Sequence, residues 1–125
     1  MADSRFEKKF RLLSASDFSE LKVDSLSFKK PSLIIYYKKN SYNQTRIGLS
    51  VTKKIGKAHD RNRLKRLLRE AFRQSSFKFL GADVLVVVSW SRSLINESSE
   101  VKEKLLIKDL GDFFLHLQRL VNQSL

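Results

Sequence analysis

Apolar residues recur along this chain with two different periods, and the switches between them mark out its elements. In residues 61–73 (RNRLKRLLREAFR), Leu64, Leu67, Leu68, Ala71 and Phe72 stand at i, i+3, i+4, i+7 and i+8, the spacing that gathers one face of an α-helix. Upstream, residues 32–38 (SLIIYYK) are rich in β-branched and aromatic side chains, while residues 45–52 (TRIGLSVT) alternate apolar and polar positions. With the polar stretch 38–45 between them, these two segments predict an antiparallel hairpin. Residues 82–88 (ADVLVVV) form an apolar run interrupted only by Asp83, as expected of a strand buried on both faces or nearly so. The last segment returns to the helical period, with Val101, Leu105, Leu110, Phe113, Phe114, Leu117 and Val121 in an imperfect stripe that Gly111 is expected to loosen.

The intervening residues supply the punctuation. Ser14 to Asp17 before Phe18 resembles a capping box with Asp17 in the glutamate's place, and predicts a short first helix through about Leu21. Residues 25–31 read as turn-rich, 53–59 as a loop around Gly56 with Asp60 as N-cap of the central helix, 74–81 as a connection and 89–99 as a polar, serine-rich loop. The order is helix, two or three strands, helix, strand, helix, that is αβββαβα. The fold class is α+β, a single small α–β sandwich with helices on a small sheet. At 125 residues and 42% hydrophobic content the chain suits one domain, 1–125, with residues 1–9 expected to form a flexible tail.

Charge changes the picture at the central helix. Between positions 53 and 73 stand nine cations, Lys53, Lys54, Lys57, Arg61, Arg63, Lys65, Arg66, Arg69 and Arg73, against Asp60 and Glu70, so this short block supplies over half of the net +12. Asn62, Lys65, Arg66, Arg69 and Arg73 share a face beside the apolar stripe, with Arg61 at its edge. Stacked cations repel one another unless phosphates neutralise them, so such a face fits a polyanion. A basic amphipathic helix also suits a membrane surface or a calmodulin-like partner, but the later hydrophobic segments can cover its apolar side. The absence of cysteine excludes disulfides and thiolate metal sites. The charged start and the lack of any apolar stretch near ~20 residues point to a soluble, intracellular protein with no membrane partner.

No catalytic constellation stands out. His59 and His116 lack the spacing of a local metal motif, and Asp60 and Glu70 do not share a helical face. No serine sits in a nucleophile elbow, and the glycine of residues 53–57 (KKIGK) lacks the phosphate-loop frame. The expectation is therefore no catalytic residue, no metal ligand and no cofactor held by the protein.

Residues 53–58 (KKIGKA), two further positions, and then 61–70 (RNRLKRLLRE) resemble the RNR signature of the protein subunit of bacterial ribonuclease P. The resemblance extends from residues 10–13 (FRLL) through 46–51 (RIGLSV) to the strand at 83–88 and the helical tail. It implies a left-handed βαβ crossover, against the usual right-handed rule, and a cytoplasmic ribonucleoprotein in which a large catalytic RNA, with Mg2+ at that RNA, removes the 5′ leader of precursor tRNA. The protein would then be a non-catalytic subunit of an endoribonuclease, with the catalytic RNA and precursor tRNA as partners and no obligate protein partner. A general RNA-binding or ribosome-associated module is the alternative.

The resemblance also implies residue roles. Lys53, Lys54, Lys57, Arg61, Asn62, Arg63, Lys65, Arg66, Arg69 and Arg73 would face the RNA, with Arg63 set apart toward a more structural role by its place on the helix. Phe18 on the first helix and Tyr36 on the first strand would stack on leader bases, which suits a protein that must accept many sequences; for Phe18, core packing competes. Arg11 and Ser50 are rim candidates. Two departures stand out: Lys22 where relatives place a second aromatic, and Ser89 and Trp90, with Arg92 just beyond, where relatives place basic residues. Trp90 is accordingly expected to offer a base-stacking surface to the leader.

Overall fold

The computed structural model describes residues 15–40, 45–74 and 81–123. Their order is α1 (Ala15–Val23), β1 (Leu26–Lys29), β2 (Leu33–Lys39), β3 (Arg46–Val51), α2 (Ala58–Gln74), β4 (Ala82–Val88), α3 (Arg92–Ile95) and α4 (Ser99–Gln123), with a 3-10 turn at Lys53–Ile55. The α+β class and the predicted succession of elements hold, with α3 added as a single turn inside the segment read as loop. The capping position Ser14 and the tail at residues 1–9 lie outside the described residues.

The strands form one mixed sheet in the order β1-β2-β4-β3. The predicted hairpin between residues 32–38 and 45–52 does not form: β4 inserts between them, antiparallel to β2 and parallel to β3. The reason is the apolar character of β4, whose residues 84–88 carry no polar side chain. A strand with no polar face is best placed at the centre, where both edges have ladder partners and both faces are covered. Period-two alternation in β3 specifies which side chains face the core, and says nothing about which strand lies beside it. The hairpin that does form joins β1 to β2 across Pro31 and Ser32, with reciprocal backbone bonds between Lys30 and Leu33 at 2.9 and 3.3 Å. Four-residue β1, LSFK, lay inside the turn-rich interval and is too short to show a period.

One face of the sheet carries Leu33, Ile35, Tyr37, Ile47, Val51, Val84, Val86 and Val88 into the main core, where Leu64, Leu68 and Phe72 of α2 meet Leu106, Leu110, Phe113 and Leu117 of α4. The other face carries Tyr36, Leu85 and Val87 and is met by Leu21 of α1. Strand alternation produces this division, because neighbouring positions point to opposite faces.

Two helix details depart from expectation. The Lys57 carbonyl accepts the first bond of α2, from Arg61 at 3.0 Å, so Lys57 occupies the cap and Asp60 lies within the first turn, where its charge still favours the helix dipole. In α4 the buried stripe runs through Leu106, Asp109, Leu110, Phe113, Phe114 and Leu117, whereas Val101 is 45% exposed. Gly111 does not interrupt this helix, and Ser98 caps it by accepting a 3.2 Å bond from the Val101 amide.

Candidate RNA-binding surface

The basic surface is built from the turn after β3 and the outer side of α2. Burying Leu64, Leu68 and Phe72 at four-residue intervals forces the neighbouring positions outward, because the helix advances about 100° per residue. Lys53, Lys54, Lys57, Asn62 and Arg66 are exposed, while Arg61, Lys65, Arg69 and Arg73 are half-buried along the helix flank. Gly56 makes the turn possible. Its φ is 155°, and a Cβ there would stand 2.9 Å from Asp60 Oδ2, so the turn favours glycine on both conformational and steric grounds.

The cations divide by what they already hold. Arg61 Nη1 donates to the Gly56 carbonyl at 2.7 Å and braces the turn. Arg63 forms a two-pronged pair with Glu103 of α4 at 2.8 and 3.0 Å, and this bonding holds its guanidinium above the usual arginine range. That position agrees with the more structural part assigned to Arg63 and ties its guanidinium to α4. Arg73 pairs with Glu70, whose carboxyl is held below its ordinary value chiefly by that hydrogen bond. Lys53, Lys54, Lys57, Lys65, Arg66 and Arg69, by contrast, have no carboxylate partner among the described residues. Their charge is uncompensated by any carboxylate among the described residues.

The second region is the face of the sheet beside α1. Phe18 and Tyr36, both half-buried, pack against Leu21 and Leu85 together with Val87. Phe18 thus does packing work while part of its ring remains in solvent. Ser50 pairs with Val87 across the β3–β4 ladder and Val87 with Ile34, so Ser50 belongs to the same face. Lys38 reaches Asp24 at 3.1 Å at its edge, and Lys22 is exposed on α1. Only Val51 and Thr52 separate Ser50 from Lys53, so the two regions meet at the C-terminal end of β3.

Sequence reasoning missed the anchor at the other end of this face. Asp83 accepts bonds from Arg46 Nε and Nη2 at 2.8 and 2.7 Å and from Asn40 Nδ2 at 2.8 Å, clamping β3 to β4. The Arg46–Asp83 partnership needs the parallel register, which no local pattern reveals.

Trp90 is not brought to the face of Phe18 and Tyr36. Beyond β4 the backbone is tied to the β1–β2 turn, through Ser89 to Ser32 at 3.1 Å and Ser91 to Pro31 at 2.8 Å, and the indole packs on the main core, with Ile55 and Leu64 beside it. The expected leader contact through Trp90 is therefore corrected: its side chain belongs to the α2–α4 side. Arg11 lies outside the described residues.

Among the described residues no group of His, Asp and Glu side chains is arranged to hold a metal ion, and no helix is long and apolar enough to cross a membrane. His116 shares a 2.9 Å hydrogen bond with the Tyr37 hydroxyl, whose pKa is raised by burial, and packs against Phe28. His59 is exposed in the first turn of α2. What the surface offers chemically is uncompensated positive charge beside an aromatic-lined sheet face.

Comparison with known proteins agrees with these features. Residues 6–114 match the family model described as Ribonuclease P. The ribonuclease P protein component of Macrococcus caseolyticus is 39% identical over 82 residues, 65% of this chain and 71% of that protein. That of Pasteurella multocida is 38% identical over 88 residues, 70% of this chain and 74% of the relative. Among solved structures, the RNase P protein from Thermotoga maritima superposes with a TM-score of 0.70 at 29% identity, covering 82% of this chain and 93% of that one. The Staphylococcus aureus RNase P protein gives a TM-score of 0.67 at 25% identity, covering 83% and 94%. With the signature helix, the mixed sheet and these matches in agreement, the chain belongs to the ribonuclease P protein family.

Proposed function

We propose that this protein serves ribonuclease P as its non-catalytic subunit, docking on the catalytic RNA through α2 and the preceding turn and holding the 5′ leader of precursor tRNA along the sheet face beside α1. Membership of the family makes it a ribonuclease P subunit in tRNA processing. The observation that supports the finer reading is the row Lys53, Lys54, Lys57, Lys65, Arg66 and Arg69, which finds no carboxylate among the described residues. Cations with no carboxylate partner among the described residues are suited to phosphates, arginine as a planar fork and lysine as a mobile point charge.

In this reading Mg2+ held at the RNA supplies the hydrolytic chemistry, and the protein binds no cofactor of its own. The protein's part is positional. Arg66 and Arg69 neutralise RNA phosphates, and Phe18, Tyr36 and Ser50 present a surface on which leader bases of any sequence can rest. The cytoplasm, where precursor tRNA is processed, is the corresponding location, and no obligate protein partner is required. Incubating purified protein with precursor tRNA, with and without the large RNA, tests the proposal. Cleavage at the mature 5′ end only when the RNA is present is expected; cleavage by the protein alone would overturn it.

A further inference from the structure

Beside the signature helix lies a hollow of about 130 Å3 whose lining includes Ile55, Asp60, Leu64, Trp90 and Lys102. It is smaller than drug-sized pockets, which run ~300–1,000 Å3. The hollow also combines three kinds of chemistry that neither phosphate docking nor leader stacking uses. Trp90 supplies an aromatic wall, Lys102 Nζ stands 5.7 Å from the ring centroid, and Asp60 brings a carboxylate. Arg63 and Lys102 are balanced in the lining by Glu103 and Asp60, so the hollow lacks the excess positive charge with which the surrounding surface attracts the backbone.

We propose that this hollow receives one unpaired guanine of a bound RNA, with the base against Trp90 and its Watson–Crick edge on Asp60. Single-stranded RNA is recognised by stacking splayed bases on aromatic side chains and hydrogen-bonding their edges. An ionised carboxylate only accepts hydrogen bonds. Guanine presents two adjacent donors, N1–H and the N2 amino group, to such a pair of oxygens, whereas adenine and cytosine each offer an amino donor beside a ring-nitrogen acceptor that the carboxylate repels. Guanine O6, an acceptor, suits the neighbouring ammonium of Lys102. Glu103 is already engaged by Arg63 at 2.8 Å, which leaves Asp60, exposed in the first turn of α2, as the carboxylate that reads the base. Lys102 yields the indole readily, because its ammonium stands 5.7 Å from the ring centroid, near the outer limit of such a contact, and its stem is flexible.

This inference rests on the RNA-binding reading, yet it has its own readout, because Trp90 is the chain's only tryptophan. Intrinsic fluorescence would be followed while titrating the full chain with fluorescently end-labelled oligouridine carrying one central guanosine, or one central adenosine, with anisotropy of the label recording total binding. Half-quenching of Trp90 is expected at a concentration roughly tenfold lower for the guanosine oligonucleotide, the scale of one good bidentate base contact. Asp60→Asn, an exposed substitution, should remove most of that preference while total binding persists. Anisotropy binding with no guanosine preference in Trp90 emission, or a preference untouched by Asp60→Asn, would overturn the pocket and leave RNA binding standing. No anisotropy change with any RNA would overturn both.

Discussion

Arg61 donates from Nη1 to the carbonyl of Gly56 at 2.7 Å, so the first arginine of the signature holds the shape of the turn from which its neighbours project. Gly56 in turn sits at φ 155°, with Asp60 Oδ2 occupying the place next to a would-be side chain. The spacing of glycine and arginine in the motif thus has a mechanical reason: it closes a small loop at the start of α2 and aims Lys53, Lys54 and Lys57 outward.

Gly56→Ala should therefore cost stability on the scale of about 1–3 kcal/mol, the strain of a non-glycine residue in such a backbone region. A shift of the urea midpoint without a change of slope would show it, and RNA affinity should fall with it. An unshifted midpoint would mean that the turn tolerates a side chain.

Arg66→Ala combined with Arg69→Ala removes two uncompensated charges without touching an ion pair among the described residues. The dependence of log affinity for RNA on log salt should become shallower by roughly 0.7–0.9 per lost phosphate contact. The measurement is RNA binding across a salt series. An equal slope in the double variant and the parent would show that these arginines do not meet phosphates.

Ser32 and Asp109 tie the β1–β2 turn to α4 through a buried 2.7 Å bond, and Asp109 is 2% exposed. Ser32→Ala leaves that buried carboxylate short of a donor and should destabilise by about 1–3 kcal/mol. Equilibrium unfolding measures it. Loss well below that scale would show that Asp109 draws its stabilisation from other groups.

Gly111 lies in mid-helix, without a left-handed backbone, and an added Cβ would meet nothing within 4 Å. Gly111→Ala should stabilise by about 0.5–1 kcal/mol, through helix propensity and a less flexible unfolded chain, and raise Tm by a few degrees. A lower Tm would refute the open environment around this position.

Asp112 has its carboxyl held below the ordinary aspartate value, chiefly by a hydrogen bond from Lys108 and also by Lys30, while Arg73 does the same for Glu70. Because both folded-state values are depressed, their contribution is present above the unfolded pKa and disappears as pH falls through the folded one. Asp112→Asn should thus reduce stability near neutrality and flatten its loss on the acid side. Unfolding midpoints collected between about pH 2 and 7 check this, the window around the ordinary carboxylate values.

Much of this protein is local in its physics, and those parts are legible in the residues alone. The helical spacing of Leu64, Leu67, Leu68, Ala71 and Phe72 determines both that α2 is a helix and that its remaining positions face outward, so the basic surface follows from sequence. The apolar run of β4, interrupted only by Asp83, likewise announces a buried strand. Tertiary structure decided what sequence periodicity does not encode, namely which elements are neighbours. β4 lies between β2 and β3 because its apolar faces and paired edges are best satisfied at the centre. That insertion brings Arg46 to Asp83. Packing of α4 on α2 likewise converts Arg63 into a partner of Glu103 and sets Trp90 beside Ile55 and Leu64, away from Phe18 and Tyr36. Each of these pairings joins residues far apart in sequence. Their cause is the burial of common surface, which a pattern read along one segment at a time does not contain.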